Sequence, residues 1–307
     1  MILTVTPNAA LDITYQVDEL VAHESHRVTA VRQRAGGKGV NVASVLARMG
    51  HPVIATGLVG GPAGDEIRAD LEARGVAARF LDGGGSSRRT VNVVSTAHGD
   101  ATIFNEPGPE LTGPGWQSLV ASLDALLVES AATVVVLSGS LPRGVPGDAY
   151  AELVALGHHH GARVIVDADG AALRGALPSR PDLLAPNRAE LARATGTQDL
   201  AEGVAALRHL GARHVLVSCG AEGLVLLPEQ GSGWQARLPL PLSGNPTGAG
   251  DALVAALAAG LDNGSTWPQI VQDAVTWSAA AVLQPMAGEI DPEDVARLAP
   301  QVLMGAR

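Results

Sequence analysis

The chain has 307 residues, of which 46% are hydrophobic and 17% charged, and it carries a formal net charge of −10. That balance excludes a disordered chain and leaves one large globular domain or two modest ones. An acidic surface without a basic run also excludes nucleic acid and anionic membrane as natural partners.

A lone cysteine, Cys219, rules out an intramolecular disulfide and points to a reducing, cytoplasmic setting. Apolar runs such as 131–137 fall well short of the roughly 20 residues that a membrane span needs. The N-terminus reads as a strand, without the charged start and long apolar stretch of a signal peptide.

Residues 2–6 are apolar and β-branched, and they run into Thr6-Pro-Asn-Ala-Ala-Leu-Asp12. Asp12, just past this strand, is either a ligand for a hydroxyl or an ordinary turn aspartate. Residues 13–17 and 27–32 alternate apolar with polar, which predicts exposed strands. The stretch Ala35-Gly-Gly-Lys-Gly-Val-Asn-Val-Ala43 predicts a glycine-rich loop entering a helix over about 40–49. It is not a Walker A loop, because Gly39 follows Lys38 where Ser or Thr is required.

Next come a buried strand at 53–59 and a helix at 65–74. Residues 88–96 and 101–105 alternate again, predicting a hairpin across His98-Gly-Asp100. These four exposed strands, within about 12–34 and 86–106, can assemble into one small sheet outside the main fold.

Beyond Leu111 the pattern becomes regular β/α alternation. Helices are predicted at 114–129, 147–159, 188–195 and 200–210, separating strands at 133–137, 163–167, 183–185 and 214–218. Continuous apolar strands between helices mean a parallel sheet covered on both faces. Ligands on such sheets gather beyond the carboxyl ends of the strands, where Ser138, Asp167, Asn187 and Ser218 fall. Three adjacent histidines, 158–160, point in different directions on a helix and make a poor metal cage.

Near the C-terminus, Asn245-Pro-Thr-Gly-Ala-Gly-Asp251 runs into an alanine-rich helix. Gly248 and Gly250 flank Ala249, so backbone amides at a helix start can approach an anion closely. Asp251 sits in the first helical turn, either as a simple helix starter or as the acceptor of a proton from an attacking hydroxyl. At a helix N-terminus it should be a weak base.

Of 21 basic residues only Lys38 is lysine. A chain that uses arginine elsewhere keeps its one compact ammonium between glycines, which marks Lys38 as functional.

The two glycine-rich stretches resemble the paired signatures of the ribokinase-like (PfkB) carbohydrate kinases. Thr6–Asp12, Ser138-Gly-Ser-Leu-Pro142, Asn187-Arg-Ala-Glu190 and Ser218-Cys-Gly-Ala-Glu-Gly223 fit the same family in the same order. The resemblance spans almost the whole chain. It implies a single domain, a three-layer α/β/α sandwich around a mainly parallel sheet, with a small β lid.

The Asn-Ala-Ala-Leu-Asp start and the Gly-Gly-Lys-Gly loop are similar to the hexose-phosphate branch, the 1-phosphofructokinases and tagatose-6-phosphate kinases. ATP and Mg²⁺ are the implied cofactors. The resemblance makes Asp251 the catalytic base and Gly248, Ala249 and Gly250 the anion hole. It assigns Asp12, Gly37, Lys38, Asn41 and Ser138 to the sugar. Asn187, Thr247, Ser218, Gly220 and Gly223 go to the nucleotide, and Glu190 with Asn187 to Mg²⁺ through water. Asn187 and Glu190 also have the spacing of a helix cap and its capping-box partner.

Arg88, Arg27 and Lys38 are the candidates for a sugar phosphate, with a solvated strand edge as the alternative for the two arginines; Arg89 should face away from Arg88. Ala185 and Ile103 stand where some relatives have basic residues, which favours 1-phosphofructokinase over 6-phosphofructokinase. The implied reaction is ATP-dependent phosphorylation of fructose 1-phosphate to fructose 1,6-bisphosphate; tagatose 6-phosphate, a free sugar or a nucleoside are the alternatives, and a sugar-phosphate sensor without activity is a more distant one. Unpaired lid edges imply a homodimer through the lid.

Overall fold

Residues 1–97 and 100–307 are described by a computed structural model of the chain. The chain opens with β1 (Ile2–Thr6), buried along its length, and leaves the main sheet for β2 (Ala10–Val17) and β3 (Ala30–Gly36). It returns through α1 (Lys38–Arg48), β4 (Val53–Val59), α2 (Gly61–Ala73) and β5 (Ala78–Asp82). A second excursion forms β6 (Arg88–Ser95) and β7 (Asp100–Asn105). Of the turn expected at His98-Gly-Asp100, positions 98 and 99 lie outside the described residues. The flanking strands pair antiparallel as expected, with Thr90 opposite Asn105.

Helices and strands then alternate through α3 (Gly113–Ser130), β8 (Val134–Ser138), α4 (Ala149–His159), β9 (Arg163–Asp167), α5 (Gly170–Ala176) and β10 (Leu183–Leu184). After α6 (Arg188–Thr195), α7 (Leu200–His209) and β11 (His214–Ser218), a meander follows of β12 (Leu224–Leu227) and β13 (Trp234–Arg237). Helices α8 (Ala249–Asn263), α9 (Trp267–Val282) and α10 (Pro292–Leu298) lead to the edge strand β14 (Leu303–Ala306).

The large sheet has the order β14-β13-β12-β11-β10-β9-β8-β1-β4-β5, parallel from β11 to β5 and antiparallel beyond. Successive residues of a strand face opposite sides. In β8, Val134 and Val136 enter the core beneath α1, α8 and α9, whereas Val135 and Leu137 enter the core beneath α3 and α4. Helices therefore cover both faces, which is why these strands are continuously apolar. The small sheet has the order β3-β2-β6-β7, with β2 and β6 parallel. The result is the three-layer α/β/α architecture with a separate small sheet.

Several boundaries differ from expectation. Arg27 lies before β3, which starts at Ala30; residues 27–29 are exposed, so their alternation reflects no buried face. Strand β2 begins at Ala10 and takes in Asp12, which is therefore a strand residue rather than a turn residue. Helix α1 begins at Lys38, and Gly37, with φ 102°, is its uncapped N-cap. Likewise α8 starts at Ala249 behind Gly248, whose φ of 87° favours glycine. Among the described residues no helix is long and apolar enough to cross a membrane.

Candidate active site

The carboxyl ends of the parallel strands, the N-terminus of α1 and the N-terminus of α8 converge. Asn41, projecting from the first turn of α1, donates from Nδ2 to Asp251 Oδ2 at 2.8 Å. The two glycine-rich stretches, far apart in sequence, thus meet through one buried hydrogen bond. Both helix starts lack a side-chain cap; at α8, however, the Ala249 N–H of the expected anion hole donates to the Pro246 carbonyl at 3.2 Å and is already paired within its own turn. Gly248 lets this happen sterically, since a Cβ there would lie 2.7 Å from the Ala287 backbone. The next residue of that loop, Gly288, abuts Asn41.

Asp251 is 8% exposed. Burial and the nearby Asp167 carboxylate raise its carboxyl to about 7, against the pull of Lys38 and the Asn41 amide. The expectation of a weak base at a helix N-terminus is overturned, because desolvation outweighs the helix dipole. A carboxylate with that affinity for protons is matched to general-base work near neutral pH.

Lys38 leads α1 into the site. Its Nζ stands 2.8 Å from Asp167 Oδ1 and 3.5 Å from Glu190 Oε1. Burial lowers its hold on the proton, but the two carboxylates more than offset that and keep it charged. Asp167 ends β9, opposite Ser138 at the end of β8. Ser138 is fully buried and its Oγ has no hydrogen-bond partner. Asp167 carries no role in the sequence reading; its strand-end position was the signal for it.

Asn187 and Glu190 form the capping box their spacing predicts, each accepting from the other's backbone N–H at 2.9 Å. Glu190 thus has one oxygen on the helix start and the other on Lys38. Among the described residues no three His, Cys, Asp or Glu side chains are arranged to ligate a metal directly. The donor set instead fits a hydrated magnesium ion, which keeps several waters and takes other ligands from phosphates.

Asn187, Ser218, Gly220 and Gly223 line a cavity of about 540 Å³ floored by Leu253 and walled by Leu240 and Val282. Ala249 and Gly250 stand at the same cavity, so it opens onto the start of α8. Thr247 lies beside it, its N–H held by Asn245 Oδ1 at 3.0 Å. Cys219 is half-buried behind Ser218, as a filler would be.

On the small sheet, Asp12 pairs with Thr90 of β6 and Arg34 of β3. Its carboxylate packs so closely over Gly36 that a Cβ there would lie 2.1 Å from it. Burial raises Asp12 to about 6, while Thr90, Arg88 and Arg34 pull the other way. Gly37 fits against Thr6 and Ala9. Arg88 is half-buried, donating from Nε to the Asn8 carbonyl at 3.0 Å, and Arg89 faces outward. Among the described residues no hydrogen bond or ion pair ties Arg27 to this cluster. Arg34, absent from the sequence expectations, is a buried cation beside it.

The chain matches the pfkB family of carbohydrate kinases over residues 5–294. It is 38% identical to a 1-phosphofructokinase of Xanthomonas campestris pv. campestris, covering 99% of this chain and 98% of that one. The crystal structure of phosphofructokinase-2 from Escherichia coli in complex with potassium superposes with a TM-score of 0.89 at 26% identity, covering 97% and 98% of the two chains. The ribokinase of Arabidopsis thaliana, at 24% identity and a TM-score of 0.76 over 97% of this chain and 98% of that one, shares the fold. On these matches, the chain belongs to the pfkB family of carbohydrate kinases.

Proposed function

We propose that the protein is an ATP-dependent kinase of a ketohexose phosphate, converting fructose 1-phosphate to fructose 1,6-bisphosphate. The observation that carries this reading is the buried Asn41–Asp251 contact, one residue past the Ala249 and Gly250 lining of the cavity. It brings a proton acceptor and the start of α8 together with the polar first turn of α1. Membership of the family and the named Xanthomonas relative support the substrate class.

Asp12 and Asn41 hold the sugar hydroxyls, with Gly37 and Ser138 closing the wall behind them. The free hydroxyl attacks the γ-phosphorus while its proton passes to Asp251. The new O–P bond forms as the bond to the β–γ bridging oxygen breaks, and ADP leaves. Amides of Gly248 and Gly250 take up charge on the moving phosphoryl group, with Ala249 between them holding the turn through the Pro246 carbonyl. Lys38 stays paired with Asp167 and Glu190 and holds those two carboxylates in place. Asn187, Ser218, Gly220, Gly223 and Thr247 border the nucleotide. Glu190 and Asn187 would hold magnesium through water, and the ion would supply charge neutralisation at the phosphates. The small sheet acts as a lid that excludes water from the site.

Arg88 pairs with the phosphate already on the sugar; Arg27, exposed ahead of β3, has among the described residues no contact that ties it to that site. A turnover panel of fructose 1-phosphate, fructose 6-phosphate, tagatose 6-phosphate and free sugars tests the reading. Arg88→Ala should raise KM for the phosphosugar about tenfold or more. Unchanged KM, with a free sugar as best substrate, overturns it.

Val31, Ile103 and Phe104 leave the small sheet with exposed apolar side chains. We infer that two copies associate through it; light scattering should give twice the chain mass, and Phe104→Lys should halve it.

A further inference from the structure

Arg34 is 6% exposed and belongs to no step above. It stands opposite Asp12 in the β2–β3 pairing. Its Nη1 lies 3.1 Å from Glu289 Oε1, while Nε and Nη1 make no hydrogen bond. Charges facing it are Arg74, Glu289, Asp70 and Asp12. A guanidinium buried with unused donors is costly unless its charge is wanted where it sits.

Its ion pair is with Glu289, and the buried acid opposite it across the strand pair is Asp12. Thr90 and Arg88 from β6, Arg34 from β3 and Asp251 from α8 are the polar and charged groups that face Asp12. A carboxylate accepts from sugar hydroxyls on both oxygens only when ionised, and burial opposes that. Arg88 is the other cation beside it, itself faced by Glu106. Once a phosphosugar binds, the phosphate dianion neutralises Arg88 and ends its help to Asp12. Arg34, sealed from solvent and tied to Glu289, keeps its charge throughout.

We propose that Arg34 is a positioning residue, the fixed counter-charge that holds Asp12 in its sugar-accepting form while Arg88 is engaged by the substrate phosphate. This rests on the reading of Asp12 as a sugar ligand. Glu289 sets how much of the charge reaches Asp12, and it follows Gly288, which abuts Asn41.

The test is the pH dependence of KM for fructose 1-phosphate in Arg34→Met, Arg34→Lys and Glu289→Gln. Arg34→Met should move the acid-side rise in KM up by about one pH unit, with the penalty shrinking at alkaline pH. Arg34→Lys should restore the profile. Glu289→Gln should move it the opposite way, to lower pH, because Arg34 then acts on Asp12 undivided. A merely structural role predicts that Arg34→Met and Glu289→Gln shift together, or that KM changes equally at every pH; either result overturns the proposal. If Arg34→Met fails to fold, the downward shift in Glu289→Gln still decides. A wild type inactive on every phosphosugar strikes instead at the proposed function. Carboxyl NMR titration of Asp12 in wild type and Glu289→Gln then tests Arg34 alone.

Discussion

Two glycine-rich helix starts face one another across the site; both pack glycines against the chain, Gly248 of the second included, but only the second also keeps one in open space. At the start of α1 the missing side chains make room for protein. A Cβ on Gly39 would lie 2.4 Å from Thr6 Oγ1, and one on Gly37 would lie 3.0 Å from Thr6 Cγ2. At the start of α8, Gly250 has nothing within 4 Å of where its Cβ would be. The first loop is packed shut and carries Lys38, which is neutralised by two carboxylates. The second leaves open space before uncapped amides. Of Gly37, Gly39 and Gly250, only Gly250 leaves space that another group could take.

The comparison is broken hardest at Asp251, the residue both loops serve. Asp251→Asn should cut kcat by about 10²- to 10⁴-fold with little change in sugar KM. The same variant should be more thermostable than wild type at alkaline pH. Its carboxyl is raised from 3.8 to about 7 in the folded state, so ionisation erodes wild-type stability as pH climbs through that window. Scanning calorimetry at about pH 4 and pH 8 should show the gap opening only at the higher pH; an equal gap at both would contradict the burial argument.

A matched pair of substitutions sharpens the contrast between the loops. Gly39→Ala forces a methyl into Thr6, costing about 1–3 kcal/mol, and should lower Tm by several degrees. Gly250→Ala should leave Tm unchanged or slightly higher, since alanine favours a helix by about 1 kcal/mol. Its kcat should nevertheless drop about tenfold, because the methyl occupies space meant for the phosphoryl group. Equal losses of stability in the two would erase the distinction. The smallest effect is in the wild type, where kcat should decline below about pH 7 as Asp251 protonates, while the KM limb set by Asp12 falls nearer pH 6.

Period and punctuation made the parallel core readable: the apolar runs of β1, β8 and β11 have one structural solution once helices flank them. Glycine context likewise picked out Lys38 and Gly248–Asp251, and these do converge. What failed had no local signal. Residues 27–29 alternate like a strand yet bury nothing, so β3 starts three residues later than expected. Arg34 is one arginine among many in sequence; its meaning comes from Glu289 and Asp12, neighbours only in space. Asp251 was misjudged as a base for the same reason, since burial is a property of the assembled fold and the dipole is a property of the helix alone.

The small sheet has a consequence for how the molecule is made. Strand β2 lies between β3 and β6, and its parallel partner β6 arrives only after α1, β4, α2 and β5 have been laid down. Closing so long a loop is entropically slow. During synthesis, then, β2 and β3 emerge as a lone hairpin without the neighbour that completes their sheet, and the small sheet waits on a pairing that spans the whole N-terminal third of the chain. Such late-joined structure is also where native-state opening should begin, and amide exchange should be fastest across the β2–β6 seam.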